Sequence, residues 1–162
     1  MTWVEVTNQA DLDGLMNTFG AFHDACIKEM HLWTESYVDS DLFMSCPPHL
    51  DTHVRLLIQR QFEDPSAIEL LFDEVRRINV VPSPDNYDSI IFDATLLFTE
   101  DVFYWADAGR WLPDQEDSMN TTWIAANKLR VCIKRNRIAP RPPILAEAEA
   151  IETPSCSPMI GG

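Results

Sequence analysis

Three side chains of acid–base and nucleophilic chemistry stand in close order near the start of the chain: His23, Asp24 and Cys26, within "GAFHDACIKEM" over residues 20–30. A histidine titrates near neutrality and can take a proton, a carboxylate can orient it, and a thiolate can attack. The spacing sets a condition on this chemistry. Neighbours on a strand point to opposite faces, so Asp24 orients His23 only if the backbone turns between them. Cys26 must also fold back to within about 3 Å of the base. Asp93, in "IIFDATL", is a second carboxylate for the same task. The enzyme these residues would make is a small hydrolase or ligand-binding enzyme with His23 as base beside Asp24 or Asp93. The competing expectation is a packed junction. Phe22 then enters the core, while His23 and Asp24 bond backbone groups where helix gives way to strand.

Other candidates are thinner. His49 and His53 stand four apart, a spacing that makes ligands of both only on a helix, and "PPHLDTH" opposes one with its two prolines. No third ligand lies nearby in sequence. "DLDG" at 11–14 lacks the remaining ligand positions of a calcium loop. Cys26, Cys46, Cys132 and Cys156 show no zinc-type spacing. The expectation is no metal and no cofactor. The chain also has no glycine-rich phosphate loop, no GxSxG and no HExxH. Asp93 and Asp107 fall within apolar runs, where an acid needs a partner. An ion pair of Asp93 with Arg55 or Arg60 is expected before a catalytic carboxylate pair.

The elements that must position these residues follow from periodicity. Leu12, Leu15, Met16 and Phe19 fall on one helical face, with Asn8 as cap and Gly20 as stop. From Ala25 the period changes to two, with Ile27, Glu29, His31 and Trp33 opposite Cys26, Lys28, Met30 and Leu32. "CPPHLD" interrupts pairing. "HVRLLIQRQF" resumes with Val54, Leu56, Ile58 and Phe62 on one face. After "EDPS", Ile68, Leu70 and Phe72 alternate against Ala67, Glu69 and Asp73. "YDSIIFDATLLF" presents Ile90, Phe92, Ala94, Leu96 and Phe98, and "TED" reads as a hairpin into "VFYWAD". "AGRWLPDQEDSMN" reads as an exposed acidic loop. A last strand carries Trp123, Ala125, Leu129, Val131 and Ile133 on one side. This predicts a single α+β domain over residues 1–137, its N-terminal amphipathic helix packed on a mainly antiparallel meander of about six strands, curled toward a half-barrel. A Pro-rich flexible tail is expected over 138–162.

Charge bounds the partners. Residues 1–127 hold six Lys and Arg against twenty-three Asp and Glu, a net −17, and residues 128–137 add five cations and no acids. An acidic body of this kind repels nucleic acid and anionic membrane and steers toward basic proteins. The basic run is expected to satisfy acids within the fold. The start "MTWVEVTNQADLDG" lacks a secretion signal, and no apolar run approaches the roughly 20 residues of a membrane span. With unpaired thiols this predicts a cytoplasmic protein.

Together "FHDACIKEM", "LLIQRQFEDPSAIELLF", "IIFDATL" and "YWAD" resemble a family of small bacterial proteins with an "FHD" junction followed by a β-meander. Related arrangements occur among immunity proteins that neutralise polymorphic toxins. The resemblance covers roughly residues 15–130 and leaves out the Pro-rich tail and the basic run past residue 134. It implies an α+β domain and carries over no catalytic residue. The leading expectation is therefore a non-enzymatic acidic binding module, an immunity-type inhibitor of a basic toxin or nuclease. Its binding residues would be Trp105, Asp107, Trp111, Asp114, Glu116 and Asp117, where aromatics adjoin the acidic loop. A structural homodimer through an unpaired sheet edge is the further alternative.

Overall fold

A computed structural model describes residues 2–134. The tail expected over 138–162, with Arg135 and Arg137 before it, lies outside the described residues. The chain opens with strand β1 (Val4–Val6) and then forms the one α-helix among the described residues, α1 (Gln9–Thr18). The Asn8 side chain accepts from the Asp11 N–H at 3.1 Å, and Leu12, Leu15 and Phe19 form the buried face. Gly20, at φ +56°, makes the stop.

The remaining strands are β2 (Ala25–Thr34), β3 (Tyr37–Val38), β4 (Met44–Ser45), β5 (Thr52–Arg60), β6 (Ala67–Asn79), β7 (Thr95–Thr99), β8 (Val102–Ala106) and β9 (Trp123–Lys134). Six of them form one antiparallel sheet in the order β2-β5-β6-β9-β8-β7, and β1 joins it as the seventh strand. Along the other edge of β9, β8 pairs with residues 123–126 and β1 with residues 129–131. β3 and β4 form a separate two-stranded arm.

Ala25 and Ile91 exchange backbone hydrogen bonds, so the segment entering β7 returns to the opposite edge of the sheet. The described strands do not close into a barrel. The main core holds Phe19, Phe22, Leu56, Ile58, Leu70, Phe72, Trp105 and Leu129. Gln9 ties α1 to β7, its Oε1 accepting from the Phe98 N–H at 2.8 Å. A smaller core of Val102, Ala106, Trp111, Trp123 and Ala125 forms under the loop after β8. Among the described residues no helix is long and apolar enough to cross a membrane, and Cys26, Cys46 and Cys132 are free thiols.

The α+β architecture matches expectation, and the departures have local causes. About six strands become nine among the described residues, because two-residue pieces such as β3 and β4 carry no measurable period. A bulge between Ile27 and Glu29 shifts the alternation of β2, so Ile27 and Met30 both pack against the core. At Glu74, φ +54°, the alternation resets in β6, and opposite it β9 changes face between Ala126 and Leu129. Ile124 and Ala126 therefore join the main core, and Trp123 and Ala125 the smaller one. The strand read over 87–98 shrinks to β7. Ile91, Ala94 and Leu96 are its buried residues, while Ile90 and Phe92 are exposed. Phe62 is exposed as well, because β5 ends at Arg60, which itself takes the core-facing position. The Glu100–Asp101 turn between β7 and β8 has φ of 52° and 60°, as a two-residue hairpin requires.

Candidate functional site

The backbone does turn at the "FHD" junction, where Ala21, Phe22 and Asp24 all have positive φ. His23 Nδ1 lies 3.3 Å from Asp24 Oδ2, and both side chains are open to solvent. Phe22 is fully buried and stacks edge-on with Phe19 at 5.1 Å. The His23 N–H donates to Gly20 O at 3.0 Å, and Asp24 O accepts from the Gln61 N–H at 3.2 Å. Cys26 is half-buried on β2, and no hydrogen bond among the described residues joins it to His23. Asp93 is exposed and lies against Gly109 after β8. The hollow beside His23 is bordered by Gly20, Asp24, Arg60, Gln61, Phe62 and Glu63, not by Asp93. What organises this corner is Arg60. Its Nε donates to Pro65 O at 2.8 Å, Nη2 reaches Thr18 O at 3.4 Å, Nη1 pairs with Glu63 at 3.2 Å, and its guanidinium sits 4.7 Å over the Phe19 ring.

Of the residues expected to bind a partner, Trp105 is fully buried in the main core. Trp111 is buried against Trp123, ring centres 5.1 Å apart. Neither side chain is presented to a partner. Asp114 is exposed. Glu116 and Asp117 begin a short 3₁₀ turn, Glu116–Asn120, and their side chains lie outside the described residues. Asp107 faces inward. Its Oδ1 accepts from the Thr122 N–H at 2.9 Å and its own N–H donates to Thr122 O at 3.0 Å, which clamps both ends of the acidic loop. Burial pushes its carboxyl above the ordinary range, against the opposing pull of the Thr122 N–H.

A raised folded-state pKa means the ionised form is disfavoured by folding. Asp107 therefore withdraws stability as pH rises from its unfolded value through its folded one. Asp107→Asn keeps the acceptor and is expected to match or exceed wild-type stability at pH 7. Asp107→Ala is expected to lose about 1–2 kcal/mol, because the Thr122 N–H is left unpaired. Urea melts at pH 7 check both, and equal losses for the two variants would contradict this account.

The densest polar constellation lies on the sheet face away from the main core, around His53. Trp33 on β2 pairs across to His53 on β5, and their rings stack 5.3 Å apart. His53 Nδ1 lies 2.7 Å from Asp73 Oδ1 on β6, and Nε2 lies 3.2 Å from Glu35 Oε1. Arg130 on β9 grips the other Asp73 oxygen through Nε at 2.9 Å and Nη2 at 2.7 Å. His49 Nε2 approaches the second Glu35 oxygen at 3.4 Å. Beside them Lys128 pairs with Glu74, whose carboxyl is held below its ordinary range by the Lys128 and Asn127 hydrogen bonds. The adjoining hollow is about 380 Å³.

An imidazole backed by a clamped carboxylate is the orienting half of a triad. Here, however, Nε2 is occupied by Glu35 rather than by a nucleophile. Among the described residues no three His, Cys, Asp or Glu side chains converge to hold a metal. His49 and His53 meet through Glu35, not along a helix. The arrangement acts as a strut from the sheet to the segment that carries β3 and β4. Sequence reading noted His53 and Asp73 separately and missed their pairing. The available signal was an acid and a histidine on the polar faces of two consecutive strands.

That strut supports the β3–β4 arm. Ser36 Oγ donates to Asp51 at 2.6 Å, and the Glu35 N–H donates to Asp51 O at 3.2 Å, closing its base. At the tip Asp39 Oδ1 accepts from the N–H groups of Asp41 at 2.9 Å and Phe43 at 3.0 Å. No family model matches the chain, and no curated protein or solved structure matches it either.

Proposed function

We propose that this chain is a non-enzymatic binding module for a basic protein, acting as an immunity-type inhibitor that covers a cationic toxin such as a nuclease. The observation that carries the reading is where the cations go. Lys128, Arg130 and Lys134 on β9 pair with Glu74, Asp73 and Glu69 on β6, and Arg60 is buried. Four of the eight sheet cations are thus matched or enclosed, while Lys28, Arg76 and Arg77 stand exposed. Acids outside the sheet, including Asp39, Asp41, Asp85, Asp88, Asp101 and Asp114, stand exposed. Uncompensated surface charge accelerates encounter with a partner of opposite sign and suppresses the wrong ones.

The test begins with the partner purified from the native host by its affinity for the full chain. Its association rate is then measured by stopped flow between 50 and 500 mM salt. The rate is expected to fall by roughly tenfold or more as screening shortens the reach of the field. A rate indifferent to salt, or a partner that is not basic, sinks the proposal.

A further inference from the structure

Resting on that reading, we infer that the β3–β4 arm is the apolar anchor of the complex, inserted against an apolar face of the basic partner that is rimmed by Lys and Arg. Leu42, Phe43 and Met44 are 85%, 71% and 74% exposed, and Tyr37, Val38 and Leu50 are exposed beside them. Six large apolar side chains open to water on one projecting arm form a patch of the kind that marks an interaction surface.

The arm is also held in shape. Asp39 fixes the tip, Asp51 closes the base, and Glu35 is joined to His49 and His53. An exposed apolar hairpin that is already ordered loses little conformational entropy on binding. Charge selects the occupant. Glu35, Asp39, Asp41 and Asp51 surround the apolar residues, and no Lys or Arg occurs between Lys28 and Arg55. The same charge opposes a second copy of this chain, which would bring acids against acids. Rim charges set rate and specificity, while desolvated aromatic and aliphatic anchors set affinity.

The probe is a fluorescein-labelled amphipathic helical peptide with a Leu and Phe face flanked by Lys and Arg. A second peptide has that face changed to Ser, which leaves charge alone. Anisotropy titrations with the full chain are expected to give about tenfold tighter binding to the amphipathic peptide, a difference of anchor burial. The triple variant Leu42→Ser, Phe43→Ser, Met44→Ser is expected to erase that difference and bind both peptides alike. Its circular dichroism should stay unchanged, because none of the three side chains is in the core. Tyr87→Ser, an exposed aromatic elsewhere, should bind as wild type does. Asp39→Asn with Asp41→Asn should flatten the salt dependence while keeping the tip acceptor.

If the triple variant still prefers the amphipathic peptide, the arm is not the anchor. Salt-dependent binding of the Ser-faced peptide would then leave the acidic-module reading standing. If neither peptide binds at low salt, that broader reading falls, and this inference with it. If wild type sediments as a dimer that the triple variant converts to monomer, a second copy occupies the arm and the inference is overturned.

Discussion

Asp73→Ala is expected to destabilise the protein by about 2–4 kcal/mol, because it leaves two donors without their acceptor at a largely buried position. The side chain of Asp73 is 12% exposed and that of His53 15%, so water replaces the carboxylate poorly. Arg130 is more open and recovers part of its loss by hydration, which keeps the estimate below that of a fully enclosed triad. The damage should spread along the strut. With Asp73 gone the His53 ring is fixed only by Trp33 and Glu35, and the arm loses its tie to β6. Chemical denaturation measures the stability loss, and hydrogen exchange of the Glu35 and Phe43 amides measures the loosening. In a double-mutant cycle, His53→Ala should cost much less in the Asp73→Ala background than in wild type. Additive costs would show that the contact carries no coupling, and an Asp73→Ala loss under roughly 0.5 kcal/mol would refute the strut.

Arg60→Ala is expected to cost about 3 kcal/mol, since it removes three supports at once. Pro65 O and Thr18 O lose their side-chain donor, the Phe19 ring loses the cation above it, and the space of a long side chain opens beside the helix stop. Arg60→Met separates packing from charge. It refills the volume of the stem without restoring a donor, and should recover about 1 kcal/mol of the loss. Thermal and urea unfolding of both variants decide the matter. If Ala is tolerated within about 0.5 kcal/mol, Arg60 does not organise the corner. If Met restores full stability, only its stem matters.

The "FHD" junction is a corner held by residues other than its most reactive ones. His23, Asp24 and Cys26 are the residues that draw the eye, yet the corner is built on Gly20, Phe22 and a buried arginine from another strand. His23 and Asp24 form an open pair at its surface. The candidate surface moves in the same way. Trp105 and Trp111 are the residue types that anchor interfaces, and both are enclosed, one in each core. Five exposed apolar residues lie close together instead on "SYVDSDLFMSC", a stretch whose short strands and turns give no clear period.

Local chemistry alone determined the helix and its cap, the stop at Gly20, the hairpin at Glu100–Asp101 and the apolar faces of β5 and β6. These depend on periods of 3.6 and 2 and on turn residues, all contained within a few neighbours. Net charge was likewise readable, as was, for Lys128, Arg130 and Lys134, the expectation that the basic run would serve acids inside the fold. Register, crossover and bulge were not. A five-residue loop between Arg60 and Ser66 permits several pairings of β5 with β6, and only one brings His53 to Asp73. The return of Ile91 to Ala25 links residues 66 positions apart, and the switch of faces at Glu74 arises from one backbone angle. Long-range pairing is chosen by the energy of the whole sheet, so the His53 strut and the projecting arm existed only once the tertiary structure had formed.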